Sequence, residues 1–513
     1  MIKKFGELVF IEIAKKEKKF LFILLIVSFI IRALVFNFYL NRNKNYWQVD
    51  SNAYHKIAIN IAQNKGYVTN GQYNFYRVPG YPLFLSLFYK IFDMAINKAL
   101  WFQLILASLI PILIFLLSLV LFPKLLLLAK IASIYSAFHL GLILYSGFFM
   151  TESLFIFLFL IFSILYFSSF HLFFCRRHYF SYQDLEKMNP FLYCSSEICT
   201  GPSFIALEKE QEVKYEKKIK YNECKKIFLA GIFLGMTSLV RPVGHYMIIL
   251  PIILLFFSSD ILKIKIKKIV FLFSGWLFIV FWWLLRNWML TGYIFFHTLP
   301  GGHFLYFSAA RIVTHTQNLS YEDSKKYLQN QLDQIVQNQE QKLNRKLNEI
   351  ELCNIRQDLA IKYFKNYPIL AIKNWITDIL RTSLSLYSAE IVYLYNNRKE
   401  FDYFNKNRNL WSLFERYLLP KVDSVFLRLI IWVEILLFMF ILVGFFGFII
   451  LAIFKRYYLC SFLKVIPFIW FFIFIGLSGG YSRMRLPIEP FLIIFSFSFW
   501  ANLFKRFFGE FKV

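Results

Sequence analysis

Two acidic residues, Asp50 and Glu152, stand next to apolar segments of the chain, where a charge is costly. Asp50 begins the motif Asp50-Ser-Asn-Ala-Tyr54-His55 shortly after the first apolar run, and Glu152 follows Thr151 at the start of another. A carboxylate at such a position loses hydration energy unless it performs a role. Carboxylates can take up protons in catalysis, so these two residues are the first candidates for a catalytic site.

Arginines and histidines gather at the ends of the same apolar segments. They are Arg77, Arg241, Arg286, Arg483 and Arg485, with His245, His297 and His303. Any single arginine could anchor a helix end among lipid headgroups. As a set they favour an anionic ligand, because a guanidinium can bind phosphate through two parallel hydrogen bonds. The histidines are more typical of polar residues at a membrane interface than of metal ligands, and we predict no metal-ligating residues.

The composition places these residues in a membrane protein. Of the 513 residues, 58% are hydrophobic and 17% are charged, whereas about a quarter of a soluble protein is charged. A net charge of +27 could suggest a nucleic-acid partner, but Lys and Arg occur in short blocks between long apolar runs. That pattern is typical of membrane proteins. We therefore predict an all-α polytopic membrane protein and no nucleic-acid partner.

The apolar segments also predict an orientation. A bilayer core needs about 20 apolar residues for each helical crossing, and we count about ten such segments. The first, at about residues 20–40, follows a basic stretch and no small-residue cleavage site, so we interpret it as a retained anchor. The positive-inside rule then places both termini in the cytoplasm. The candidate site residues fall on the outer face of the cytoplasmic (inner) membrane.

The predicted spans divide the chain into three parts. Residues 1–290 form a transmembrane catalytic module with a first outer loop, 41–97, that includes juxtamembrane helices, and a cytoplasmic insert, 175–226. Residues 291–425 form an outer loop and a small helical domain, because the stretch from Tyr321 to Trp375 has helical apolar spacing and many Gln, Asn and Lys residues. Residues 426–513 form the C-terminal transmembrane helices.

The motifs, taken in order, resemble those of the GT-C superfamily of integral-membrane glycosyltransferases. They are Asp50-Ser-Asn-Ala-Tyr54, Arg77-Val-Pro-Gly-Tyr-Pro82, Thr151-Glu152, Leu239-Val-Arg-Pro242, Arg286-Asn287 and Arg485-Leu-Pro487. The similarity is greatest to the bacterial branch that resembles dolichyl-phosphate-mannose protein mannosyltransferases and lipid A aminoarabinose transferases. Protein mannosyltransferases usually carry an adjacent acidic pair where this chain has Val49-Asp50-Ser51. That difference argues against protein mannosylation.

The resemblance implies an inverting transfer of a hexosyl or pentosyl group from a polyprenyl-phosphate carrier to a lipid, glycan or protein acceptor. Asp50 occupies the place of the family's loop acid and would act as the base, while Glu152 would share that role or hold a sugar hydroxyl. The five arginines would stabilise the departing phosphate. Substrate contacts are predicted for Tyr54, His55, Tyr81 and His303. No cofactor is required, although a divalent metal ion bridging the phosphate to Glu152 or a histidine is compatible with the chemistry.

The last two arginines carry a geometric expectation of their own. Arg483 and Arg485 are two residues apart, so a helix would point them about 200° apart, whereas an extended segment would present both on one side. Because Gly479 and Gly480 precede them and Pro487 follows, we expect an extended turn that offers both guanidiniums to the carrier phosphate.

Two other classes of protein remain open. A transporter or flippase of lipid-linked sugars would have symmetry-related halves and polar, broken spans near the bilayer midplane. A non-catalytic assembly protein would account for the outer helical domain but not for Asp50 among arginines. The polar groups lie on one side and the centres of the spans are mostly apolar, so we favour the transferase.

Overall fold

The computed structural model describes residues 13–169 apart from 14 and 124, and residues 222–395, 424–475 and 481–508. Within these ranges almost every element is a helix. Two short strands, Val68–Thr69 and Gln72–Tyr73, pair antiparallel in the predicted outer loop. The predicted all-α class is confirmed.

The first part of the chain contributes a long apolar helix, the helices of the first loop and an apolar bundle. The long first helix continues through a π-helical turn, Phe36–Leu40, and a short 3-10 turn, Arg42–Lys44. The helices are α1 (Lys18–Val35), α2 (Ser51–Ala62), α3 (Gly80–Ile91), α4 (Ile96–Ser108), α5 (Ile110–Leu121), α6 (Leu126–Phe138), α7 (Leu140–Gly147) and α8 (Glu152–Phe167).

The chain then returns with three more apolar helical segments. These are α9 (residues 222–240), the 3-10 helix Pro242–Ile248 with α10 (Ile249–Phe256), and α11 (Leu262–Thr291). Pro242 cannot continue α9, because proline lacks the backbone N–H that a helix needs. The helix therefore ends just before Arg241, whose backbone is extended.

A helical domain follows α11 and has a hydrophobic core of its own, which includes Leu305, Leu328 and Leu359. Asn348 begins its second long helix with a reciprocal cap, since Glu351 bonds back to the Asn348 backbone. The elements from here to residue 395 are α12 (Leu299–His303), the π-helical turn Phe304–Ala309, α13 (Ala310–Thr316), α14 (Tyr321–Leu343), α15 (Glu349–Asn366), α16 (Pro368–Leu384) and α17 (Ser388–Tyr395). The separate core comes from the elements up to α15, whereas the buried apolar residues of α17 pack in the core of the main bundle. The predicted helical domain is thus confirmed as helical, and its side of the membrane stays a prediction.

Two long apolar helices and a broken third complete the described chain. They are α18 (Val425–Phe454), α19 (Arg456–Phe474), the short α20 (Ser482–Arg485), a 3-10 turn at Leu486–Ile488, and α21 (Glu489–Phe508). The predicted glycine turn at Gly479-Gly480 and most of the predicted insert, residues 175–221, lie outside the described residues.

Six helices in the described ranges are long and apolar enough to cross a membrane, and the bent pair α6 and α7 would make a seventh. That pair turns by 50° between Phe138 and Leu140. Helix α8 and the segment Pro242–Phe256 are apolar but shorter. Each of the ten predicted spans contains a helix, but helix length alone does not confirm ten crossings.

One close backbone contact joins the loop that carries Arg77 to the segment that carries Arg241. Helix α3 begins at Gly80, and a Cβ atom there would lie 2.6 Å from the carbonyl oxygen of Leu239. No other residue type fits so close to a neighbouring backbone. The two arginine-bearing segments are therefore packed directly against each other.

The predicted orientation can be tested by labelling intact cells with a membrane-impermeant thiol reagent. Gln337 is exposed on α14, so Gln337→Cys should be labelled, because we expect that domain outside. The unmodified protein is the matched control, since Cys194 and Cys199 lie in the predicted cytoplasmic insert. Peptide mapping that finds label in the insert but not at position 337 would reverse the orientation.

Candidate active site

A cavity of about 1140 Å³ lies between the first loop, the segment after α9 and the helical domain. It brings together residues that are far apart in the sequence. The polar and aromatic residues of its wall include Gln48, Asp50, Tyr54, Tyr76, Arg77, Thr151, Arg241, His297, His303, Glu390, Tyr481 and Arg483. Six of the predicted site residues, Asp50, Tyr54, Arg77, Arg241, His303 and Arg483, therefore share one cavity.

Arg483 links the two predicted catalytic acids. Its Nε donates to Oε1 of Glu152, and both its terminal nitrogens lie 3.4 Å from Oδ2 of Asp50. Arg77 completes the set by donating from Nη2 to Oδ1 of Asp50 at 2.6 Å. Charge-assisted bonds of this kind are stronger than neutral ones. We call Asp50, Arg77, Glu152, Arg241 and Arg483 the ionic network.

Asp50 occupies the N-cap position of α2 but does not cap that helix with its side chain. An aspartate at this position usually accepts from the first backbone N–H groups of its own helix. Here Ser51 holds the turn instead, by accepting from the Gln48 N–H and donating to the Phe149 carbonyl. The Asp50 carboxylate is therefore free to face the arginines.

The two arginines at Asp50 decide its protonation. Burial alone would raise the pKa of the Asp50 carboxyl, but the guanidiniums of Arg483 and Arg77 outweigh burial and hold the pKa below its usual range. Asp50 is therefore ionised at neutral pH. Its affinity for a proton is reduced by the same two charges.

Glu152 is fully buried and does not itself line the cavity. It contacts two arginines that do, Arg483 and Arg241, with 3.6 Å between Oε1 and Nη2 of Arg241. A buried carboxylate needs such partners, because an uncompensated charge in the interior is strongly destabilising. This placement argues against the predicted role of Glu152 in contacting the acceptor or a sugar hydroxyl. Its carboxylate instead positions Arg483 and Arg241.

Three members of the ionic network have unused hydrogen-bonding capacity, at Nε of Arg77, Oε2 of Glu152 and Nη1 of Arg241, which have no hydrogen-bond partner among the described residues. Arg241 is largely buried, yet it lines the cavity with this unpartnered terminal nitrogen in its guanidinium. Its other terminal nitrogen is 3.8 Å from the Met484 sulfur. The network holds three guanidiniums and two carboxylates, which leaves one formal positive charge. Such an arrangement can accept an anionic group.

Two of the predicted substrate residues, Tyr54 and His303, do line the cavity. The Tyr54 hydroxyl accepts from Arg77 at 3.4 Å, and the Arg77 guanidinium lies 5.0 Å from the centre of the Tyr54 ring. His303 stacks on Phe307 with ring centres 5.0 Å apart. Burial, followed by the charge of Arg77, lowers the pKa of His303 to about 4. The imidazole is therefore neutral at physiological pH.

The other two predicted substrate residues, His55 and Tyr81, do not line the cavity. Nδ1 of His55 lies 2.8 Å from the Tyr89 hydroxyl, and the ring packs edge-on against Trp47. Tyr81 is fully buried and donates to Oε1 of Gln103. Its ring packs edge-on against Tyr54, with 5.2 Å between centres. We therefore remove both residues from the proposed substrate contacts, because they support the wall from behind.

Arg286 also lies outside the cavity, which argues against its predicted contact with phosphate. Its guanidinium lies 4.7 to 5.8 Å from the centres of four aromatic rings, those of Tyr67, Tyr73, Phe75 and Trp283. It also donates to Oδ1 of Asn287 at 2.7 Å. These contacts hold the strand hairpin of the first loop against α11, so Arg286 is a structural residue of the loop.

The expected extended turn at Arg483 and Arg485 is wrong, because residues Ser482–Arg485 form a helix. Side chains two positions apart in a helix point in nearly opposite directions. Of these two arginines, only Arg483 reaches the cavity. Arg485 is buried and donates to Oε1 of Glu489 at 2.6 Å and to the carbonyls of Thr382 and Ser383. It joins α16 to α21 and is not available to a phosphate.

The sequence analysis missed one carboxylate in the cavity wall, Glu390. It lies in α17 and accepts from the Tyr145 hydroxyl at 2.9 Å. The signal was present, because Glu390 is an isolated acid in the otherwise uncharged stretch from Thr382 to Tyr395. The rule that singled out Asp50 would have found it if applied away from the ends of the predicted spans.

The residues around Glu152 do not suit a divalent metal ion. Two guanidiniums already contact Oε1 of its carboxylate, and their charge would repel a metal cation. No three His, Cys, Asp or Glu side chains are grouped as metal ligands in the ranges that the structure describes. We therefore derive no step through a metal ion.

Comparison with known proteins gives a limited result. No family model and no curated protein matches the sequence. The chain is similar to the oligosaccharyltransferase of the archaeon Archaeoglobus fulgidus tethered to an acceptor peptide with an NVT sequon, with 13% identity, a TM-score of 0.47, and 95% of this chain and 50% of that chain covered. For AglB of the same organism, in complex with an inhibitory peptide and a dolichol-phosphate, the values are 13%, 0.48, 96% and 51%. The chain thus spans about half the length of those proteins, and the GT-C resemblance stays a prediction.

Proposed function

We propose that this chain is an inverting glycosyltransferase that moves a sugar from a polyprenyl-phosphate carrier to an acceptor at the outer face of the cytoplasmic membrane. The observation that carries the proposal is the ionic network at the cavity wall. It combines surplus positive charge, an unused N–H group of Arg241 and a neighbouring apolar helical bundle. This combination suits a donor with an anionic head and an apolar tail.

The network fits the needs of phosphate as a leaving group. The bond from the anomeric carbon to the phosphate oxygen breaks, and negative charge grows on the phosphate. Fixed cations stabilise that charge without moving, which is the largest catalytic contribution in many enzymes. We assign the phosphate to Arg77, Arg241 and Arg483, the three predicted arginines that share the cavity.

The size of the cavity suits two substrates at once. Small-molecule sites usually enclose about 300–1,000 Å³, and this cavity has about 1140 Å³. Aromatic residues such as Tyr76, Phe304 and Tyr393 line the wall together with the arginines, and the Arg77 guanidinium lies 5.1 Å from the centre of the Tyr76 ring. Aromatic faces pack well on sugar rings and on apolar groups. The same wall therefore suits an anionic group and a sugar side by side.

A transporter or flippase of lipid-linked sugars is the second candidate. The observation in its favour is the 50° break between α6 and α7, because broken spans line many transport sites. Against it, the ionic network adjoins helix starts at Asp50 and Glu152. None of its residues lies in α6 or α7, the pair that carries this break.

The deciding experiment uses the purified protein in proteoliposomes with radiolabelled polyprenyl-phosphate hexoses and pentoses and a membrane extract as acceptor. We expect label in a product with an inverted anomeric centre and an equal amount of free polyprenyl phosphate. Movement of intact donor between leaflets without a product would favour the transporter. If no product forms and no donor moves between leaflets with any of the donors, both functions are rejected.

A further inference from the structure

Glu390 is a cavity-wall carboxylate that lacks an ion-pair partner within the described chain. Its single hydrogen bond there comes from the Tyr145 hydroxyl, at 2.9 Å. Asp50 differs, since each of its oxygens faces a guanidinium. A carboxylate that carries two cations is a weak proton acceptor, whereas one held by a neutral hydroxyl keeps its basicity.

The position of Glu390 is fixed by the elements around α17. The Glu434 carboxylate accepts from the backbone N–H groups of Tyr387 and Ser388, at 2.6 and 2.7 Å, and so holds the start of that helix. The Tyr39 hydroxyl donates to the carbonyl of Ile391 at 3.2 Å. The Glu390 side chain therefore projects into the cavity from a helix whose backbone is fixed by hydrogen bonds to neighbouring elements. A catalytic group needs this kind of support.

We propose that Glu390, and not Asp50, is the proton acceptor of the transfer reaction. The proposal rests on the proposed function. In the step, the acceptor hydroxyl oxygen bonds to the anomeric carbon while the bond from that carbon to the phosphate oxygen breaks. The bonding electron pair leaves with polyprenyl phosphate, which Arg77, Arg241 and Arg483 stabilise. The hydroxyl proton passes to the Glu390 carboxylate and afterwards to water. Asp50 positions Arg77 and Arg483.

The groups facing Glu390 agree with this assignment. Burial raises the pKa of the Glu390 carboxyl above its usual value, and Glu152 acts in the same direction, while the Tyr145 hydrogen bond and Arg483 partly oppose them. Tyr481, the residue before α20, also lines the cavity and interacts electrostatically with Glu390. A base works when deprotonated, so turnover should fall as the pH drops through this raised pKa. Asp50, with its lowered pKa, stays ionised over that range.

The test is a set of pH profiles of kcat for the wild type, three variants of the site and one control variant, measured with the donor-transfer assay. Glu390→Gln keeps an oxygen that can accept from Tyr145 but cannot take a proton, so we expect kcat to fall about 10²- to 10³-fold and the acid limb to disappear. Tyr145→Phe removes a bond that stabilises the charged carboxylate, so the acid limb should move to higher pH. Asp50→Asn should keep the acid limb.

The matched control is Glu349→Gln. Glu349 is exposed at the start of α15 and does not line the cavity, so this variant should behave as the wild type does. The assignment of Glu390 would be overturned, with the proposed function left intact, by either of two results. One is a near-normal kcat of Glu390→Gln, and the other is an acid limb that is lost in Asp50→Asn but retained in Glu390→Gln. If Glu390→Gln does not fold, an unmoved acid limb in Tyr145→Phe would overturn it. A wild-type protein that transfers no sugar would overturn the proposed function as well.

Discussion

Replacing Arg483 by glutamine is expected to lower kcat/KM for sugar transfer by about 10³-fold, because in the proposed reaction one guanidinium would hold both acids and stabilise the departing phosphate. Its Nε holds Glu152 and its terminal nitrogens hold Asp50. Arg483→Lys keeps the charge but loses the planar fork, so it can reach only one of the two acids well. We expect that variant to lose about 10²-fold.

The matched control for Arg483→Lys is Arg485→Lys, two residues along the same helix. Arg485 is bonded to Glu489 and to two carbonyls of α16. Its replacement should lower the thermal midpoint of unfolding while the activity of each folded molecule stays near normal. Equal activity losses in the two lysine variants would show that both changes act through folding and would remove Arg483 from the phosphate site.

Replacing Asp50 by asparagine is expected to lower kcat/KM for the donor by about 10²- to 10³-fold, although we do not assign the proton transfer to Asp50. The variant keeps the shape of the side chain but removes the charge that holds Arg77 and Arg483 in place. Losing one charged contact in a preorganised site typically costs this much. Steady-state kinetics at several donor concentrations would separate the effect on KM from the effect on kcat.

Asp323→Asn provides the control for Asp50→Asn. Asp323 lies at the start of α14, is exposed, and pairs with Lys326 at 3.3 Å, so it tests the same chemical change away from the cavity. Exposed ion pairs contribute little to stability. If Asp50→Asn retained the donor KM and turnover of the wild type, the two arginines would not need a carboxylate to hold them.

Much of the fold follows from local patterns in the sequence. Apolar runs located the long helices such as α11 and α18, because apolar run length reports directly on membrane crossing. The polar helical domain was predicted from the helical spacing of its apolar residues. The cap at Asn348 corresponds to the sequence motif Asn-x-x-Glu. The count of ten crossings stays a prediction, and the 50° break between α6 and α7, inside one predicted span, was not predicted because such a break depends on packing.

Part of the candidate site was predictable from the position of its residues at the ends of apolar segments. Asp50, Arg77, Arg241 and Arg483 all follow or precede apolar segments, and this placement brought them to one cavity. Arg286 obeys the same rule and fails, because four aromatic rings from the folded hairpin and α11 surround it. Such surroundings depend on tertiary contacts that residue spacing does not carry.

The distinction between Arg483 and Arg485 depended on one local conformation. Both residues are arginines, two positions apart. Because they lie in a single turn of helix, Arg483 points into the cavity and Arg485 points toward Glu489. The sequence around them contains signals for either conformation. Glu390 was missed for a different reason, since it reaches the cavity only through the return of the chain after α16.

The contact between Gly80 and Leu239 bears on how natural variants of this chain would be interpreted. A methyl group at position 80 would meet a backbone carbonyl at 2.6 Å, and a backbone cannot rotate aside as a side chain can. A Gly80→Ala allele would separate the two loops and disturb Arg77 and Arg241 together. In a genetic screen it would behave like an inactivating double mutation of the arginines, although the altered position makes no polar contact in the cavity.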